Sequence, residues 1–131
     1  MKWLAFAFAA LLSASAHAQS LPVKFISAAS TNSNLVRAGR TTLHEIVTIN
    51  TTTTIYYLKL YNKVTAPVCG TDTPLWTVPV PFGASNAGGG IALPTSLFFP
   101  AGLGFCLTGA VADNDTTPAA TGIVINLGYG S

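Results

Sequence analysis

The best candidates for catalytic chemistry are His44 and its neighbour Glu45. A hydrolytic site needs an imidazole base held between a nucleophile and a carboxylate. Serines are plentiful, but adjacent residues of a regular strand point to opposite faces, so this pair is not expected to serve one site. No recognisable constellation includes the acids of the predicted loops, which are Asp72, Asp113 and Asp115. We therefore predict that the protein is not an enzyme and needs no cofactor. A small secreted hydrolase that uses His44 is the hypothesis we rank third.

A cation site is the next chemistry to consider, in the run Asp113-Asn114-Asp115-Thr116. Alternating oxygen side chains can wrap a hard cation such as calcium, but a complete loop needs more ligands than this run offers. Side chains that hydrogen-bond their own backbone in a tight turn explain the same residues. We predict no metal site, and Asp113 and Asp115 remain the weak candidates for one.

A binding face is predicted on the segment Ile55–Asn62 (IYYLKLYN), which alternates as a strand. The alternation places Leu58 and Leu60 toward the core, and the opposite face toward solvent or a partner. Aromatic side chains beside polar ones are favoured at interfaces. Ordinary strand packing is the alternative, above all for Trp76. The predicted binding residues are Tyr57, Lys59, Tyr61 and Trp76.

The amino-terminal segment has the three parts of a signal peptide. Lys2 is basic, Leu4–Leu12 is apolar but too short to span a bilayer, and Ala16-His17-Ala18 matches a cleavage site. We predict cleavage after Ala18, giving a signal peptide at 1–18 and one domain at 19–131. The alternative, a retained anchor, fits poorly because the small and polar residues 13–20 do not extend the apolar run.

Both cysteines, Cys69 and Cys106, lie beyond the predicted cleavage site. An even pair in an exported protein predicts a disulfide, with two buried free thiols as the alternative. No histidine or further cysteine lies at metal-ligand spacing from either one. Removing Lys2 with the signal peptide leaves five basic and four acidic side chains and no basic cluster. A nucleic-acid partner is therefore not expected, nor a membrane span in the mature chain.

The remaining pattern is that of an all-β domain. Short runs rich in Thr, Val, Ile, Tyr and Phe are separated by turn residues, without a helical stripe. Seven or eight such strands predict an antiparallel β-sandwich, jelly-roll or Ig-like. The predicted strands are Leu21–Ala29, Leu35–Ala38, Thr42–Asn50, Ile55–Asn62, Leu75–Val80, Ile91–Leu93, Leu103–Thr108 and Gly122–Tyr129.

Several motifs spread over this domain are shared with a known group of proteins. They are YLKLYNK (57–63), Ala66-Pro67, GTDTP (70–74), VPVP (78–81), ADNDTT (112–117) and NLGY (126–129). With them the chain resembles small, uncharacterised β-sandwich proteins of tailed bacteriophages and prophages. The resemblance implies a virion component or an accessory module similar to a decoration protein. The signal peptide and the cysteine pair depart from that pattern and indicate an exported relative.

The leading functional hypothesis is therefore a non-enzymatic structural or interaction protein that works through protein partners or self-assembly. The second is an exported module that binds carbohydrate or a cell surface through the tyrosine face. The expected location is the periplasm, the cell surface or the medium, or the virion if the protein is phage-encoded and assembled. Sequence alone does not order the strands or identify the partner.

Overall fold

The computed structural model describes residues 19–83 and 88–131. The predicted signal peptide (1–18) and residues 84–87 lie outside these ranges. The all-β prediction is confirmed, since the described residues form eight strands and no helix. The strands are β1 (Leu21–Ile26), β2 (Asn34–Ala38), β3 (Thr41–Ile49), β4 (Tyr56–Asn62), β5 (Trp76–Val80), β6 (Ala92–Phe99), β7 (Gly102–Thr108) and β8 (Val124–Gly130).

The strands form two four-stranded antiparallel sheets. Sheet A has the order β1-β8-β3-β6 and sheet B the order β2-β7-β4-β5. One long hairpin of eight strands would contain the pairs β4–β5, β3–β6, β2–β7 and β1–β8, and all four pairs are present. The hairpin is folded over, so that alternate pairs lie in opposite sheets. Eight strands wound in this way make a jelly roll. Of the two sandwich topologies expected, the protein has the jelly roll.

The core lies between the sheets and consists of the inward faces predicted from alternation. Leu58 and Leu60 of β4 are wholly buried. The inward residues of β7, beside β4, and of β8, in the opposite sheet, join them in one cluster: Leu103, Phe105, Leu107, Ile125 and Leu127. The rings of Phe25 in sheet A and Phe105 in sheet B meet edge to face, with centroids 4.8 Å apart. Burial of side chains of this size contributes about 1.5–3 kcal/mol each.

Strand β6 corrects the sequence prediction, which ends a short strand at Leu93 and leaves Pro94–Pro100 irregular. The strand instead runs through Pro94 to Phe99. It lies at an edge of sheet A and pairs with β3 alone, so a residue without an N–H can be accommodated. The register shifts between Leu43 and Glu45 of β3, and this irregularity accommodates the extra residue of β6 beside Pro94.

The four edge strands all carry features that oppose pairing with another chain. Because Pro79 and Pro81 cannot donate to a ladder, the sequence predicts that β5 is an edge strand or that these prolines lie where no donor is needed, and β5 is an edge strand. Pro94 lies within β6, and β2 is short and bulged between Leu35 and Arg37. The fourth edge, β1, contains Pro22 and Lys24. Prolines, bulges and lysines are the usual means of protecting sheet edges.

Candidate functional site

The predicted binding face on β4 is the outer face of sheet B, and most of it is covered. Tyr57, Lys59 and Tyr61 lie opposite the core leucines as predicted, but Lys59 and Tyr61 are 0% exposed. The expectation that they face solvent or a partner is therefore wrong. Alternation fixes the side of the sheet on which a residue lies, but it does not show whether a loop crosses that side. Here two loops do.

The first covering loop (63–75) joins β4 to β5, and the predicted disulfide ties it down. Cys69 is bonded to Cys106 on the outer side of β7, next to Lys59 in the strand register. Pro67 packs over Gly104, where a Cβ would lie 2.9 Å from the proline Cδ. Asp72 accepts hydrogen bonds from Lys63 Nζ and from the Val68 N–H. These bonds hold the pKa of Asp72 below its usual range.

The second covering loop (109–123) joins β7 to β8, and Lys59 ties it to the sheet. The Lys59 ammonium donates a hydrogen bond to the carbonyl of Ala112. Burial lowers the pKa of Lys59, while the carboxylates of Asp115 and Asp113 partly oppose that shift. The side chain predicted to contact a partner thus serves as a support for the protein's own loop.

The two covering loops contact each other at Gly70. Gly70 has a φ of +80°, and a Cβ there would overlap the methyl group of Thr116 and lie 3.1 Å from the Asn114 carbonyl oxygen. On the side of the sheet that these loops cover, the Tyr61 hydroxyl is buried without a hydrogen-bond partner among the described residues. Burial, with the charges of Asp72 and Asp113, raises its pKa to about 12.

The weak metal candidates lie in the second loop. Asp115 accepts hydrogen bonds from the N–H groups of Ala110 and Thr117, at 2.8 and 3.2 Å, and from the Thr117 hydroxyl at 2.7 Å. Although burial raises the pKa of Asp115, these bonds hold it below its usual value. This is the turn arrangement weighed against calcium in the sequence. The residues described contain no group of three or more His, Cys, Asp or Glu that could hold a metal ion.

Tyr57 and Trp76 are the two predicted binding residues that keep access to solvent, but they do not form one platform. Trp76 is 39% exposed and pairs with Leu60 across the ladder, so it lies on the inward side at the open end of β5. Tyr57 pairs with Pro79 and lies on the outer side. The two rings therefore belong to opposite faces of sheet B.

Sequence reasoning missed the outer face of sheet A, which lacks such a covering among the described residues. Across three strands, Ile26 pairs with Val124, which pairs with Ile49. We call these three residues the aliphatic row. Ile26 is 61% exposed and Ile49 45%. The signal was available in part, because β1, β3 and β8 carry aliphatic residues at both parities of the alternation.

At the other end of this face, His44 and Glu45 lie on the same side of β3. The β3–β8 register shifts between Leu43 and Glu45, so both residues leave the core face. A Cβ at Gly130 would lie 2.9 Å from His44 Nε2, and one at Gly128 would lie 3.3 Å from Glu45 Cβ. The prediction of opposite faces is wrong because the bulge adds a residue between two inward positions. His44 Nε2 is buried and has no hydrogen-bond partner among the described residues.

This arrangement offers a broad surface rather than a cleft. No pocket is found in the described part of the chain, residues 19–83 and 88–131. The same residues include no helix that is long and apolar enough to cross a membrane. A flat apolar sheet face can bury area against another flat surface. No protein-family model, curated protein or solved structure matches this chain.

Proposed function

We propose that this protein is an exported, non-enzymatic structural or interaction module, a virion-associated or accessory protein of the phage type that its motifs resemble. The carrying observation is the contrast between its two outer faces. Loops that are tied down by Cys69 and Lys59 cover sheet B, whereas sheet A leaves Ile26 and Ile49 exposed. Exposed apolar patches on small proteins are commonly binding surfaces.

The protected sheet edges also favour attachment through a sheet face. Each edge strand carries a proline or a bulge, and pairing with another chain would need a regular ladder. The disulfide supports export, because such bonds persist in oxidising compartments. A jelly roll hosts many functions, so the proposal depends on the face and not on the fold.

Fractionation of the producing culture tests this proposal. Mass spectrometry would compare particles, periplasm, cell surface and medium for wild type, Ile49→Lys, and Val111→Lys as control. Val111 is 60% exposed and lies in the loop over sheet B. We expect wild type and Val111→Lys to associate with particles or the surface, Ile49→Lys to be released, and peptides to begin at Gln19. Equal release of all three proteins would contradict the proposal.

A second candidate function is binding of carbohydrate or a cell surface by exposed aromatic residues. Trp76 favours it, because the indole is 39% exposed beside Leu75, which is 59% exposed. Pull-down on cell-wall and glycan preparations would compare wild type with Trp76→Ala and Tyr57→Ala. This function predicts retention of wild type and loss with Trp76→Ala, whereas Tyr57→Ala tests the ring on the opposite face, and retention that is the same in all three would exclude both rings.

A further inference from the structure

We propose that the occupant of the outer face of sheet A is a second copy of this chain, packed face to face about a two-fold axis that runs along β8. This inference rests on the proposed function, because it names the partner of the same surface. The aliphatic row carries it. Val124 lies at the centre on β8, with an isoleucine on each side, Ile26 on β1 and Ile49 on β3.

The row is symmetric about β8, as such a dimer requires. In a two-fold interface each residue meets the symmetry mate of its contact, so the surface must complement itself. An axis parallel to β8 places Val124 over its own mate and Ile26 over the Ile49 of the second copy. Sheets that pack face to face keep their strands nearly aligned, which preserves these contacts along the row.

The charged residues of this face are also complementary about the axis along β8. Lys24 lies on β1, in register with Asn126 of β8, which is in register with Val47 of β3. Glu45 lies on β3 one pair further along, opposite Gly128. The axis that superposes the aliphatic row therefore places Lys24 over Val47 of the second copy, beside its Glu45. Two equivalent ion pairs form, one on each side of the axis.

The overall charge of the protein does not oppose the approach of two copies. The net charge of residues 19–131 is +1, so two copies repel one another little.

The size of the face predicts a reversible dimer. An axis along β8 superposes only β1, β8 and β3, because no strand of the second copy faces β6. Three strands about 4.8 Å apart and about 20 Å long offer roughly 300 Å² per copy. Stable complexes bury about 800 Å² per partner, and smaller interfaces are usually transient. We therefore expect dimerisation to depend on concentration.

Analytical ultracentrifugation of the disulfide-bonded protein, from micromolar to millimolar concentration, tests the inference. We expect a monomer–dimer equilibrium for wild type and for the control Val111→Lys. Val124→Lys places a charge against its own mate and should leave only monomer. Lys24→Glu should raise the dimer Kd about tenfold or more, and adding Glu45→Lys should restore it. Thermal unfolding would verify that every variant is folded.

The outcomes separate this inference from the proposed function. Wild type that stays monomeric throughout, or a dimer unaffected by Val124→Lys, overturns the second copy as occupant. If such a monomer still associates with particles or the surface and Ile49→Lys releases it, the face binds a different protein and the proposed function stands. If the dimer forms as expected but Ile49→Lys leaves particle association intact, the proposed function fails and the dimer stands.

Discussion

For Tyr61, the sequence predicts the side of the strand on which the ring lies but not the burial of the ring. The alternation of β4 correctly places the ring opposite Leu58 and Leu60. It does not reveal that Tyr61 is 0% exposed, because the cover comes from loops that are remote in sequence. Alternation likewise places Lys59 on the correct side of β4 and does not reveal that it is buried. A charged residue on an outer face is ordinarily solvated, but here the Ala112 carbonyl accepts a hydrogen bond from the Lys59 ammonium and the carboxylates of Asp115 and Asp113 stabilise its charge.

The buried hydroxyl of Tyr61 predicts a specific loss of stability in alkali. Its folded pKa is raised from 10.0 to about 12. A raised folded pKa contributes stability that is fully present below the unfolded pKa and is lost as pH rises through the folded pKa. A shift of two units corresponds to about 3 kcal/mol. We expect Tyr61→Phe to remove most of this decline between pH 10 and 12, measured by denaturant unfolding.

Below that range Tyr61→Phe should be as stable as wild type, or more stable by about 1 kcal/mol, because the hydroxyl it removes has no hydrogen-bond partner among the described residues. Tyr57→Phe makes the same change on the same side of β4, where Tyr57 is only half-buried. It serves as the matched control and should keep the wild-type pH profile. An unchanged profile in Tyr61→Phe would refute the assignment of the decline to this group.

Among the elements, the loop 63–75 was the least predictable in its role, although its cysteine was easy to pair. An even cysteine count and the expectation of export predict the Cys69–Cys106 bond. The bond holds this loop over the outer face of β4 because β7, which carries Cys106, lies beside β4. No local sequence pattern shows that placement. Strand β6 shows the reverse limit. Pro94 indicates a break locally, yet the edge position permits a continuous strand.

Removal of the disulfide by the double variant Cys69→Ala, Cys106→Ala should uncover the outer face of sheet B. The bond spans a sequence separation of 37 residues, which corresponds to a loss of about 4 kcal/mol on the chain-entropy model. We expect denaturant unfolding to show a loss of this order. Hydrogen exchange should rise chiefly in residues 63–75, because the sheets keep their core.

Wild type reduced with a thiol provides the control, since it should show the same loss and the same pattern of exchange without any change of side chains. Exchange that rises equally in β7, β4 and the loop would mean that the bond maintains the whole domain. That result would contradict the view of the disulfide as a tie for one covering loop.

For the whole molecule, the number of strands and their inward faces could be predicted, whereas the order of the strands could not. Alternation in β4, β7 and β8 reports burial on one side, but any two-sheet arrangement satisfies it. The jelly roll depends on pairs such as β1–β8, which join the two ends of the domain. The same topology decides which strands become edges. The sequence indicated the edge position only for β5, through its prolines.

If the proline in edge strand β6 protects that edge, its replacement should make the protein aggregate faster in solution. Pro94 lies outward on edge strand β6 opposite Glu45, and it offers no N–H to another chain. Pro94→Val supplies that donor with a strong strand former, and we expect aggregation followed by light scattering to become several-fold faster. Ala92→Val adds the same side chain to the same side of β6 without removing a proline, and should aggregate like wild type. Equal acceleration by both variants would assign the effect to surface hydrophobicity and not to the edge.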